Sequence, residues 1–100
     1  VYKGDALCGL GRNLEAIECY SEAIKINNHI KIYEVQYKKG YALHNLGRNI
    51  EAIDSFNESI ILSPNYAIPY YFKGNTLYDL GRNLEALECY DKAINLDHLW

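Results

Sequence analysis

One segment occurs three times in this chain of 100 residues, and its recurrence restricts the possible folds more than any other property of the sequence. Residues 4–13, 40–49 and 74–83 all read G-x-x-L-x-x-L-G-R-N. The copies stay in register through Glu15-Ala16, Glu51-Ala52 and Glu85-Ala86 to an aromatic at Tyr20, Phe56 and Tyr90, and on to Ile24, Ile60 and Ile94. Self-similarity at this period marks a stacked array, because a single unit is too small to bury its own apolar face. Gly4 and Gly40 lie 36 positions apart and Gly40 and Gly74 lie 34 apart. The two extra residues fall between Ala23 and Gly40, where Asn27-Asn28-His29 reads as a lengthened loop at the rim of the stack.

Each copy reads as two helices. Tyr37, Gly40, Tyr41, Leu43, His44 and Leu46 recur at helical spacing, and Gly47 supplies the positive φ that ends a helix. Asn49 is expected to cap the next helix, with Ile50, Ile53, Phe56, Ile60 and Ile61 facing inward and Glu51, Asp54 and Glu58 facing water. Pro64 stops it. The same reading along the chain predicts six helices, over 1–10, 14–26, 32–46, 50–62, 66–80 and 84–96, arranged as antiparallel pairs. Glycine inside a helix costs about 1 kcal/mol relative to alanine. Gly4, Gly40 and Gly74 therefore call for close packing, and Ala16, Ala52 and Ala86 on the partner helices are its expected source.

The order Gly, Leu, Gly, Ala, aromatic, Ala, Pro over about 34 residues resembles the tetratricopeptide repeat. Gly40, Leu43, Gly47, Ala52, Phe56 and Pro64 carry the resemblance in the middle copy, and Gly74, Leu77, Gly81, Ala86, Tyr90 and Ala93 carry it in the last. The chain departs from the pattern where the family's tryptophan becomes Gln36 or Tyr70, its leucine becomes Lys3, Lys39 or Lys73, and its second alanine becomes Ser59. The closing proline is Asn28 in the first copy and His98 in the last. The resemblance implies an all-α fold, an α-solenoid of about three antiparallel helix-turn-helix repeats wound as a right-handed superhelix. It divides one domain into repeats at 1–30, N-terminally incomplete, then 33–66 and 67–100.

The resemblance also implies a concave groove lined by the first helix of each repeat. Counted from the glycines, its residues are Val1, Asp5, Cys8 and Gly9; Glu34, Tyr37, Tyr41, His44 and Asn45; and Ile68, Tyr71, Asn75, Tyr78 and Asp79. Tyrosine combines a large rigid surface with a hydroxyl, so four in one groove suit a peptide or partner helix. The plainer reading is that some of them pack between neighbouring helices. Tyr20, Phe56 and Tyr90 stand at the family's core aromatic. A chaperone-binding subset of the family grips a C-terminal carboxylate with lysine and arginine. Here those positions hold Val1, Asp5, Ile68 and Phe72, with Lys38 alone where the family has asparagine, so such a carboxylate is not the expected ligand.

Composition excludes further classes. A net charge of −3 and a pI near 5.5 lack the basic stripe of a nucleic-acid surface. No run approaches the roughly 20 apolar residues of a membrane span, and the start lacks a signal-peptide pattern. Cys8, Cys19 and Cys89 form an odd count with no C-x-x-C, consistent with reduced thiols and a cytoplasmic location. Glu15, Glu18 and Glu22 share a helix face but no cleft, and Cys8 and His44 are a repeat apart, so neither a catalytic nor a metal site is expected and no cofactor is implied. With no methionine, the chain reads as a piece of a longer product. Two functions are consistent with this reading: a protein-interaction scaffold, or a structural or regulatory repeat arm of a larger enzyme such as a glycosyltransferase. Repeats uncovered at both ends, with Leu87, Leu96, Leu99 and Trp100 at one of them, are further expected to self-associate.

Overall fold

The computed structural model describes residues 13–26 and 31–97. Five helices and no strand occur among them: α1 (Asn13–Ile26), α2 (Ile32–Asn45), α3 (Asn49–Leu62), α4 (Ala67–Asp79) and α5 (Asn83–Asp97). The protein is an all-α helical-repeat solenoid. Each helix packs on its sequence neighbours, and α2 also touches α4, so the first helices of successive repeats form one layer. The expected helix over 1–10, with Val1, Asp5, Cys8 and Gly9, lies outside the described residues, as do the loop at 27–29 and the Leu99-Trp100 tail.

The two complete hairpins turn identically because G-R-N dictates the geometry. Gly47 and Gly81 both adopt φ 79°, a conformation that residues with a Cβ rarely take. The Gly47 N–H donates to the His44 carbonyl and the Arg48 N–H to the Leu43 carbonyl, both at 2.9 Å, which satisfies two carbonyls at the end of α2. Gly81 and Arg82 repeat these bonds to Tyr78 and Leu77. Each arginine then forks onto the carboxylate three residues later: Arg48 holds Glu51 at 2.9 and 2.6 Å, and Arg82 holds Glu85 at the same distances. These bonds lower the Glu51 carboxyl below its usual range.

Three expectations need correction. Asn49 is the first residue of α3 rather than its cap, a place taken by Arg48, which makes no side-chain capping bond. The Asn49 Oδ1 is buried without a hydrogen-bond partner. Ile50 and Ile61 do not face inward: they are 62% and 70% exposed, and the buried stripe of α3 is Ala52, Ser55, Phe56 and Ser59. Two small serines sit on that stripe because α2 approaches closely, and the Ser59 hydroxyl donates to the Tyr33 carbonyl at 2.6 Å. Finally, the close neighbour of each mid-helix glycine is the aromatic of the next helix, not the alanine. A Cβ at Gly40 would lie 2.6 Å from the Phe56 ring, and one at Gly74 would lie 2.7 Å from the Tyr90 ring.

The core follows from that fit. Tyr20 packs with Ala16, Val35 and Ala42 where α1 meets α2. Phe56 packs with Leu43 and Ala52, and Ile17, Tyr37 and Phe72 close over it. The position sixteen residues after the repeat glycine thus supplies the large ring of both clusters, Tyr20 and Phe56.

Candidate binding groove

Helix α4 positions the candidate site. Pro64 and Asn65 turn the chain after α3, Tyr66 donates its N–H to the Ser63 carbonyl at 3.1 Å, and α4 starts one residue later. Pro69 tolerates this first turn because its missing N–H would have had no helical partner. The Tyr70 hydroxyl, standing in for the family's tryptophan, donates back to the Pro64 carbonyl at 2.9 Å. These contacts fix the rotation of α4 and aim Phe72 at the preceding repeat.

Phe72 is the centre of an aromatic cluster. Its ring lies 5.9 Å from Tyr37, 5.2 Å from Tyr41, 6.2 Å from Phe56 and 5.6 Å from Tyr71. Tyr66 joins from the other side, edge-on to Tyr33 at 5.1 Å and to Tyr37 at 5.8 Å. Burial, followed by the neighbouring Tyr37, raises the Tyr66 phenol well above its ordinary value. Such offset and edge-on pairs each contribute about 0.5–1.5 kcal/mol beyond area burial.

Beside this cluster opens a groove of about 950 Å³. Tyr37 and Tyr41 of α2 form one end, and Ile68, Tyr71, Phe72 and Asn75 of α4 form the floor. The far wall is Tyr90, Ala93, Ile94 and Asp97 of α5. The lining is mostly apolar. Tyr71 bridges floor and wall, 5.9 Å from Tyr90, and the Tyr90 hydroxyl donates to Asn75 Oδ1 at 2.6 Å. Burial is the main cause of the raised Tyr90 phenol pKa, with Tyr71 and Asp79 adding to it.

Of the ten expected groove residues that the structure describes, Tyr37, Tyr41, Ile68, Tyr71 and Asn75 line this space. Tyr37 is half-buried between Tyr66 and Phe72, so much of its ring is committed to packing. His44 and Asp79 form a separate contact, His44 Nε2 lying 2.6 Å from Asp79 Oδ2, which ties the ends of α2 and α4 together. Tyr78 and Asn45 are exposed on those same helix ends, and Glu34 stands half-buried in the first turn of α2. Sequence reasoning missed the α5 wall. The regular period itself could have found it, since Tyr90, Ala93 and Ile94 repeat Phe56, Ser59 and Ile60, which α4 covers in the preceding hairpin.

The tetratricopeptide repeat profile matches residues 3–29, 33–66 and 67–99, which is nearly the whole chain. The chain belongs to the tetratricopeptide repeat family. Its similarity to solved repeat domains runs through the whole stack. A crystal structure of MamA superimposes with a TM-score of 0.84 at 26% identity, covering 93% of this chain and 53% of that one. The Sgt2 repeat domain from Aspergillus fumigatus gives 0.88 at 21% identity, covering 97% and 63%. The second repeat domain of Spaghetti (RPAP3), bound to the HSP90 peptide SRMEEVD, gives 0.84 at 21% identity, covering 94% and 80%. This chain therefore spans about half the length of MamA. No curated protein matches it. Among the described residues no helix is long and apolar enough to cross a membrane.

Proposed function

We propose that this repeat stack is a protein-interaction scaffold that holds a peptide or a partner helix against its aromatic groove. The observation that carries the reading is the groove itself: about 950 Å³ of open space walled by tyrosine, phenylalanine and isoleucine, with hydrogen-bonding groups only at Asn75, Asp97 and the tyrosine hydroxyls. Such a lining favours apolar and aromatic anchors, while the few polar groups fix register. Tyr41, Tyr71 and Asn75 make the direct contacts. Tyr37 supports them, and Tyr78, Asn45, Glu34 and the His44–Asp79 pair border the extended concave face.

The domain of RPAP3 holds an acidic HSP90 peptide, and the chaperone-binding members resembled here use cations for the carboxylate. This chain has Ile68 and Phe72 at two of those places, both in the groove lining. A carboxylate there would lose water without gaining a charge partner. The groove instead suits a neutral or mildly basic segment, with Asp79 and Asp97 near its edge.

The test selects peptides from a random library on the immobilised chain and measures them by fluorescence polarisation. Tyr71→Ala should weaken a selected peptide about thirtyfold, the effect of losing one anchor of about 2 kcal/mol. Peptides with free and amidated C-termini should bind alike. Affinity unchanged by both Tyr41→Ala and Tyr71→Ala, with helical circular dichroism intact, would overturn the groove assignment.

A further inference from the structure

Directly after G-R-N, each copy of the repeat carries an aliphatic residue that stays in water. Leu14, Ile50 and Leu84 hold this place and are 60%, 62% and 78% exposed. A lone exposed leucine is ordinary. Here the exposure recurs at one register, and Ile50, whose helix has both α2 and α4 packed on it, is as open as Leu14, so a neighbouring repeat does not cover this position. None of the three lines the groove.

One turn farther along each second helix, on the same face, stands an exposed carboxylate: Glu18, Asp54 and Glu88. Among the described residues none of these three forms an ion pair, whereas Glu51 and Glu85 are already held by Arg48 and Arg82. Helix α3 contains no basic residue at all. The two rows keep a chemistry rather than a residue: the middle copy has isoleucine for leucine and aspartate for glutamate, and the aliphatic and acidic characters remain. Farther down the same outward stripe, Lys25, Ile61 and Asn95 share a register, are also exposed and have no chemistry in common. Exposure alone therefore does not produce the rows.

An aliphatic row beside an unpaired acidic one is complementary to a partner that sets apolar residues next to lysine or arginine. An anionic lipid surface or a nucleic acid has the wrong charge. A helix presents its two kinds of side chain as parallel stripes, which is the form of these rows. We propose that α1, α3 and α5 together form a second docking surface, separate from the groove, for a basic amphipathic helix of a partner protein. Its aliphatic side chains lie on Leu14, Ile50 and Leu84, and its cations meet Glu18, Asp54 and Glu88.

Fluorescence polarisation with a labelled peptide of leucine and lysine at heptad spacing tests this, in about 0.15 M salt so that long-range attraction is screened. The peptide should bind, and its counterpart with glutamate for lysine should not. Ile50→Ser combined with Asp54→Lys should weaken binding about tenfold or more, and Leu14→Ser combined with Glu18→Lys should do the same one repeat earlier. Ile61→Ser combined with Glu58→Lys makes an equal change in charge and apolar surface on α3 but off the rows, and should shift affinity less than about threefold. Helical circular dichroism checks the fold of each variant. Tyr71→Ala, aimed at the groove, should leave this peptide's affinity unchanged. No binding of the basic peptide, equal losses on and off the rows, or a loss with Tyr71→Ala overturns the proposal; none of these results bears on peptides selected for the groove.

Discussion

Helices α3 and α5 are written to one pattern and end in different surroundings. Phe56 is fully buried and Tyr90 is not; Ile60 is half-covered and Ile94 stands out into solvent. Yet Ala52 and Ala86 are equally buried, because that row faces the first helix of its own hairpin. The contrast separates two contributions that the repeat pattern merges. One face of each second helix is buried by its own repeat, and the other is buried only by whatever follows. Helix α3 has α4 on that second face, and Phe72 completes the enclosure of Phe56. On α5 the same face is the wall of the groove.

The largest test of this comparison removes the two rings. Phe56→Ala should cost about 3–5 kcal/mol, the usual loss for an enclosed aromatic. Tyr90→Ala should cost about half as much, since its ring borders open space and solvent can enter where it stood. Urea unfolding of both variants checks the difference, and equal losses would show that the following repeat adds nothing to the burial of Phe56.

The repeat glycines sharpen the comparison with a smaller perturbation. At Gly40 a new methyl lies 2.6 Å from a Phe56 ring that has no room to retreat, so Gly40→Ala should overpack the hairpin by about 1–3 kcal/mol, partly offset by helix propensity. At Gly74 the methyl meets Tyr90 at 2.7 Å, but that ring can swing into the groove. There the loss reduces to the Tyr90–Asn75 hydrogen bond, about 1 kcal/mol, against a similar gain in propensity. The melting temperature should fall for Gly40→Ala and hold nearly steady for Gly74→Ala. A fall of the same size in both would mean that the groove wall is as rigid as the covered hairpin.

The fold was legible because its strongest signals act locally. Gly47 and Gly81 need positive φ wherever they occur, and the turn they make fixes the antiparallel hairpin before any packing is considered. The inward face of α3 was misread because Ile50 and Ile61 satisfy a helical period that hydrophobicity alone cannot distinguish from Ala52, Ser55 and Ser59. What decides is the distance between helices, and a short distance selects small residues over large ones. The groove was half legible for a related reason. Tyr41, Tyr71 and Asn75 stand on the expected face, while Phe72 was assessed only for the charge it lacks. That it gathers Tyr37, Tyr41 and Phe56 around one ring depends on three helices at once, which no single stretch of sequence displays.

The smallest expected effect uses the phenols as probes of the two regions. Tyr66, in the covered cluster, and Tyr90, on the groove wall, both hold their protons more tightly in the folded chain than the ordinary value of 10, with burial the leading cause in each. A raised folded value contributes stability that is complete below about pH 10 and drains away as the pH climbs past it, because the unfolded chain ionises first. The urea midpoint should therefore decline above about pH 10. Replacing Tyr66 by phenylalanine removes the strongly shifted group and should flatten that decline clearly. Tyr90→Phe should flatten it less, since solvent reaches its ring from the groove. If the two variants flatten the decline alike, the covered cluster is no drier than the open wall, and the contrast between α3 and α5 stops at the level of aliphatic burial.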